Sequence, residues 1–308
     1  MAANIESLIK TSALQYLFVK PFMAVSRRIW WRAPETMRRS RFFLEYGRLI
    51  HRFVRMRADI NPNYFTCFMR NRPQYELIRD LAAGDGFPVP LRMAVVGCSK
   101  GAEVFSLKFL LQQAGLAIHV TGIDISDGVL RTCREGRFPK DNDAIGELTP
   151  AEREALLEDD GDCWRVRDEL RAGINWLNYD IRNTGLREKI GVQHVLVANN
   201  VLIHMPDEQA AECLRNLAGT IAAGGYLCIS GIKLEIRARV ARELNLQPVT
   251  RDIRLIHHAF PRRLKQWPWK YYGLEPYDPG HPDHDYRYAT VFRVPPRPAP
   301  DGPTPPAD

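Results

Sequence analysis

The chain is short of several things that would place it quickly. No apolar run approaches the roughly 18 uninterrupted residues of a membrane span, because the most apolar early stretch, SALQYLFVKPFMAV, is broken by Lys20 and Pro21. No CxxC pair is present. The six cysteines (Cys67, Cys98, Cys133, Cys163, Cys213 and Cys228) lie far apart, several inside apolar runs, and read as reduced thiols. Positive charges follow the early apolar stretch, the reverse of a signal peptide's order, so a cytoplasmic location is expected. No GxGxxG occurs, which argues against a nicotinamide dinucleotide enzyme. The stretch 295–308, PPRPAPDGPTPPAD, has no apolar side chain large enough to build a core and is expected to be disordered.

What is present suffices for one large domain and a smaller unit: 308 residues, 45% of them hydrophobic. The formal charge is +7, and the first 60 residues hold twelve Lys/Arg against four Asp/Glu, so the basicity belongs to an amino-terminal arm. Within residues 1–62, Ile5, Leu8 and Ile9, then Leu14, Leu17 and Phe18, recur at helical spacing, and RRSRFFLEYGRLIHRFVRMR repeats the pattern. Two readings of this basic helical subdomain stand. Either it packs an apolar stripe inward, or it lies as an amphipathic helix on anionic lipid with Trp30 and Trp31 at the interface, a peripheral contact at the inner membrane face. No named nucleic-acid motif accompanies the charge, so no nucleic-acid partner is expected.

From about residue 90, short apolar β-branched runs alternate with helical stretches. RMAVVG, HVTGIDI, INWLNYDI, HVLVANN and GYLCISG read as strands, and YRYATVFRV as the closing one. This predicts an α/β domain over 63–294, with a mostly parallel sheet covered by helices on both faces and its ligand site at the carboxyl ends of the strands. Two segments interrupt it. Residues 138–172 are a charged excursion with one short helix, and 261–285 are an insertion rich in proline and aromatics.

Chemistry concentrates at the strand ends. After the first strand, Gly97 to Gly101 makes a tight turn where backbone approaches a ligand closely, and Glu103 follows one turn into the next helix. The second strand ends in Asp124, placed for a ribose diol, and the third in Asp180, placed for an exocyclic amine. Each carboxylate alone also reads as a cap or turn former. Together they suit a nucleoside with a cationic amino-acid tail.

Four ordered segments then resemble the CheR-type S-adenosylmethionine methyltransferases, the family that esterifies glutamates of bacterial chemoreceptors. TCFMRN is similar to that family's T-x-F-F-R segment and GCSKGAEVFSL to its glycine loop. VTGIDISDGVLRTCREGRF is similar to the second-strand motif and ANNVLIHM to R-N-V-L-I-Y-F, so the likeness runs from about Thr66 to Gly231. The resemblance implies a class I methyltransferase fold, Rossmann-like, with S-adenosyl-L-methionine as cofactor. It implies that Thr66 and Arg70 contact the methionine moiety or the reaction centre, and that Glu103 holds the α-amino group near Gly97. It further implies ribose binding by Asp124, adenine contacts from Asp180 and Ile181, and cofactor contacts from Asn200 and Val201.

The departures fall near the acceptor. Lys100 stands where the family has Thr, Ala102 where it has its first Glu, Asn199 where it has Arg, and His204 where it has Tyr. His204 reads either as a base for a hydroxyl acceptor or as a polar residue opening a helix. Phe65 or Phe68 would be cation-π neighbours of the sulfonium. His257 and His258, read in a strand, would face opposite sides, and HPDHD at 281–285 lacks the rest of a metal site, so no metal is expected. The aromatic insertion, with Trp267, Trp269, Tyr271 and Tyr272, reads as an acceptor-side lid or as packing against the amino-terminal helices. No stretch resembles a receptor-docking β-subdomain. The expected activity is methyl transfer to an oxygen, by default a protein glutamate. A saccharide or small-molecule hydroxyl is the alternative acceptor, and a non-catalytic cofactor-binding regulator the alternative role.

Overall fold

The computed structural model describes residues 19–38, 40–57, 66–141, 143–145, 147–259, 267–269 and 275–295. The chain divides into two compact units, 1–61 with 261–276 and 62–260 with 277–308.

Among its described residues the second unit holds ten strands: β1 Leu91–Val96, β2 Ile118–Asp124, β3 Arg137–Pro139, β4 Leu157–Asp160, β5 Cys163–Val166, β6 Ile174–Asn178, β7 Gln193–Asn199, β8 Ile221–Ser230, β9 Gln247–Pro248 and β10 Val291–Arg293. Seven form one sheet in the order β6-β2-β1-β7-β8-β10-β9. The first five of these run parallel, and β10 pairs antiparallel with both β8 and β9.

The apolar runs of β1 and β7 are continuous because both sheet faces are covered. Met93, Val95, Val195 and Val197 enter one core with helices Arg72–Gly84, Ala102–Gln113 and Asp127–Glu135. Their alternates Ala94, Val96, Leu196 and Ala198 enter a second core with helices Leu186–Ile190, Asp207–Gly219 and Leu234–Glu243. The expected two-faced, mostly parallel sheet is therefore present. From β1 the chain builds outward to β2 and β6 on one side and continues through β7 and β8 on the other. The order reverses between β1 and β7, which places the binding crevice beyond their carboxyl ends.

The excursion contains its expected helix, Pro150–Leu156, started by a capping box between Thr149 and Glu152. It also contains a three-stranded antiparallel sheet, β3-β5-β4, that the sequence reading did not find. Strands of three or four residues bearing Glu158, Asp159 and Asp160 have little β propensity of their own. Their charges are met by Arg165, Lys140 and Arg137, with Lys140 and Arg153 over the Trp164 ring.

Two further expectations are corrected. The closing stretch is split into a helix, His284–Tyr288, and the short β10. His257 and His258 end a helix, Ile253–His258, begun by left-handed Asp252, so the strand argument for opposite faces does not hold. Apolar clusters such as IRLI suit either element when short, and here position 252 decides.

The first unit contains helices Lys20–Arg32, Glu35–Arg38 and Arg41–Arg57. Trp30 is buried, its ring 5.8 Å from Phe43, 6.3 Å from Trp267 and 5.9 Å from Trp269, so it is a core residue and not an interfacial one. A Cβ on Gly47 would lie 2.5 Å from the Trp269 ring, which explains glycine there. The helical spacing read before residue 19, Tyr271 and Tyr272, and most of the proline-rich stretch lie outside the described residues.

Helix Arg72–Gly84 is anchored at its first turn by Arg72, which donates to Glu152 at 2.5 and 2.8 Å and to the Glu147 carbonyl at 3.0 Å. The guanidinium pulls the Glu152 carboxyl down to about 2. A depressed carboxylate stabilises the fold above its unfolded value, and that contribution is lost as pH falls from about 4.5 to about 2. Glu152→Gln is therefore expected to cost ~1–2 kcal/mol near neutral pH, allowing for solvent screening of a part-exposed pair, and nothing near pH 2. Urea unfolding of both proteins across this range checks it.

Candidate functional site

The crevice begins with a loop whose backbone only small residues tolerate. Gly97, Ser99 and Gly101 all have positive φ (64°, 50° and 87°), and Gly101 caps helix Ala102–Gln113 with no side-chain bond to its first amides. Those amides are left for a ligand. A Cβ on Gly97 would lie 2.7 Å from the Val201 side chain, so the loop after β1 and the turn after β7 meet only because residue 97 is glycine.

Glu103 lies in the first turn of this helix and is buried. Tyr75 Oη donates to its Oε1 at 2.9 Å and Asn199 Nδ2 to the same oxygen at 2.6 Å, while Asn199 Nδ2 also reaches Gln74 Oε1 at 2.8 Å. Both bonds fall on one oxygen, leaving Oε2 for a further donor among the described residues. Burial raises the Glu103 carboxyl above the ordinary carboxylate range, opposed by the hydrogen bonds from Asn199 and Tyr75 and by the positive charge of Arg70. Burial and the adjacent carboxylate hold Tyr75 well above its usual value, so it stays a donor. Asn199 Oδ1 and Gln74 Nε2 are buried with no hydrogen-bond partner among the described residues.

Asp124 ends β2. Its Oδ2 accepts from the Ser99 amide at 2.9 Å and its Oδ1 from the Ser126 amide at 3.1 Å, fixing the carboxylate against the loop. Each oxygen retains lone-pair capacity. The Tyr179 amide donates to the Asp124 carbonyl at 3.1 Å, which brings the end of β6 alongside. Asp180 follows. Its carboxylate is gripped by Arg182, with Nε at 2.9 and 2.8 Å from the two oxygens, and this guanidinium lowers its pKa. Asp180 thus has a cationic partner that the sequence reading did not supply, and Ile181 beside it is buried.

Asn200 takes a left-handed conformation (φ 57°) directly after β7, its amide bonded to the Ser230 carbonyl at 3.0 Å. His204 closes a 3-10 turn, Leu202–His204, just beyond. Thr66 is buried, and Arg70 lies within electrostatic reach of both Glu103 and Tyr75. Phe68 is fully buried with its ring 4.9 Å from Phe138, which removes it as a neighbour of the sulfonium, and Phe65 is outside the described residues.

The structure therefore joins Gly97 to Val201, Asp124 to the loop, and Glu103 through Asn199 to the turn carrying Asn200. Among the described residues the Asp180 carboxylate bonds to Arg182 and to none of the others. Gln74 and Tyr75 were missed. The signal for their helix was legible, Asn71 as cap followed by Pro73, but nothing in NRPQYEL says that its first turn faces Glu103.

Residues 64–235 match the family described as CheR methyltransferase, SAM binding domain. The chain belongs to this CheR methyltransferase family. It is similar to the chemotaxis protein methyltransferase of Vibrio parahaemolyticus, with 28% identity over 149 residues, covering 46% of this chain and 53% of that one. It is also similar to the one from Listeria innocua, with 26% identity over 174 residues and coverage of 54% and 63%. The chain spans about half the length of the Vibrio relative. The N-methyltransferase NodS from Bradyrhizobium japonicum, solved with S-adenosyl-L-homocysteine, aligns over 59% of this chain and 78% of that one at 16% identity. The TM-score of that alignment is 0.36.

The cofactor of a CheR-family domain is S-adenosylmethionine, and the residues present fit it. The unbonded oxygen of the buried Glu103 carboxylate and the unpartnered Asn199 Oδ1 can both accept from an ammonium, and the unpartnered Gln74 Nε2 can donate to a carboxylate, so the set fits an amino-acid tail.

Because a bound ammonium favours ionised Glu103, cofactor affinity should fall as pH drops through the raised Glu103 value toward 4.5, with protons released on binding below it. Calorimetry in buffers of different ionisation enthalpy measures both. Tyr75→Phe removes a donor to the carboxylate and should move that midpoint to higher pH. Glu103→Ala should weaken binding by about 1.5–3 kcal/mol, roughly tenfold to a hundredfold. Unchanged affinity in Glu103→Ala would remove it from the site.

Proposed function

We propose that this CheR-family chain transfers a methyl group from S-adenosylmethionine to an oxygen acceptor, with a protein glutamate as the default acceptor. The observation that carries the reading is Glu103, buried at the crevice and hydrogen-bonded only by neutral donors. In this proposal Glu103 takes the cofactor's amino group and Asp124 its ribose. Asp180 with Ile181 borders the adenine, and Gly97, Asn200, Val201 and Thr66 shape the pocket. The bound cofactor supplies an electrophilic methyl on a sulfonium, which passes to an oxygen nucleophile and leaves a neutral thioether.

The chain's own residues then have to position more than activate. Alignment of two reactants supplies up to roughly 7–11 kcal/mol of a barrier in favourable cases. Arg70, whose charge reaches Glu103, is suited to pair with a carboxylate, either the cofactor's or an acidic acceptor's, through its bidentate fork. A glutamate acceptor is already ionised near neutral pH and needs no base. The glutamate default also rests on the chemotaxis methyltransferases to which the chain is similar.

His204 supports a second acceptor, a hydroxyl of a saccharide or small molecule. His204 sits at the turn after β7, and an imidazole there is suited to take the proton that such a hydroxyl loses as it attacks the methyl. The two acceptors are told apart by incubating the protein with methyl-tritiated cofactor and cell extract, then treating the product with alkali. A carboxyl ester releases volatile methanol, and an ether keeps its label. His204→Phe is expected to abolish transfer to a hydroxyl while leaving cofactor affinity unchanged, and to spare transfer to a carboxylate. Cofactor binding with no labelled product across broad extracts would instead make the chain a binding regulator.

A further inference from the structure

Helix Lys20–Arg32 carries no acidic residue and four basic ones, Lys20, Arg27, Arg28 and Arg32. Its buried side is defined by Ser26 and Trp30. With 100° between successive residues, Arg28 and Arg32 form the ridge farthest from that side. Val25 and Ile29 run along one flank of the ridge and Trp31 lies on the other. These three apolar side chains are 55%, 45% and 55% exposed. Phe42, beside Arg41 at the start of the helix Arg41–Arg57, is 79% exposed. Large apolar side chains left in water among guanidinium groups require a surface that accepts both.

We propose that this face of helix Lys20–Arg32 docks on an anionic lipid surface, independently of the methyl-transfer reading. Charge complementarity selects the partner. The arginines suit headgroup phosphates, which accept the guanidinium fork, and Val25, Ile29 and Trp31 suit the acyl boundary just beneath. An acidic protein surface would engage the arginines alone and give no reason for the three apolar residues to remain exposed. Among the described residues no helix is long and apolar enough to cross a membrane, so the helix lies on the surface. Trp30 takes no part, being packed inside its unit.

The test is co-sedimentation of the full chain with phosphatidylcholine vesicles, with and without phosphatidylglycerol. Binding is expected only where phosphatidylglycerol is present. Arg28→Gln with Arg32→Gln should weaken it about 25-fold, roughly fivefold for each charge removed near the surface. Trp31→Ser, which keeps the charge, should weaken it severalfold. Brominated acyl chains should quench the native protein more than Trp31→Phe, a readout that does not depend on a disruptive variant. Absence of binding to anionic vesicles overturns the proposal. So does binding that depends on the arginines and ignores Trp31→Ser, since that outcome describes a purely electrostatic patch for an acidic protein.

Discussion

A carboxylate held out of water, with no cation bonded to it, is the constraint around which the crevice is organised. Glu103 meets only the neutral donors Tyr75 and Asn199, with the charge of Arg70 acting at longer range. A carboxyl whose pKa is raised on folding costs stability once pH rises above its unfolded value, so the ligand-free domain is least comfortable under physiological conditions. The cofactor's ammonium offsets this cost. Binding energy is thus partly prepared before the ligand arrives, in the form of an unsatisfied site held rigidly by its surroundings.

That rigidity comes from the two-faced sheet. Asn199 closes β7, buried along its whole length. Glu103 begins a helix buried from Ala102 to Leu111, and Tyr75 projects from a helix whose start is pinned by Arg72 to Glu152. Three separate elements must keep register for one oxygen to receive two donors. Lys108, buried in the middle of the Glu103 helix, adds a fourth tie by donating to the carbonyls of Leu170 and Ala172. The left-handed residues Gly97 and Asn200 let β1 and β7 end close enough for the loops to touch.

Legibility in the sequence followed burial. Strands buried on both faces, β1, β2 and β7, read plainly because continuous β-branched runs have few other uses. Gly97, Glu103 and Asp124 stood out only as a set, because a glycine turn and a carboxylate at a strand end or in a helix's first turn each have an ordinary structural use. The small sheet did not, because β3, β4 and β5 are held by cross-strand charge pairs and leave no apolar alternation. The helix at His257 was hidden for a related reason, since four apolar and basic residues carry no period of their own. Tyr75, Gln74 and the grip of Arg182 on Asp180 are tertiary or conformational facts. Sequence spacing shows a helix or a turn at these places without showing what it faces.

The ring of Trp269 rests against Trp30 and is accommodated by Gly47, yet about 200 residues of the other unit separate these partners along the chain. During synthesis the amino-terminal helices emerge first and must wait while that length is made, on the order of ten seconds or more at ribosomal rates. Over that interval Trp30 and His51 lack their tryptophan cover. Assembly of the helical unit is therefore timed by translation of the sheet unit, and a nascent chain halted before residue 267 carries a helical unit without its closing tryptophans.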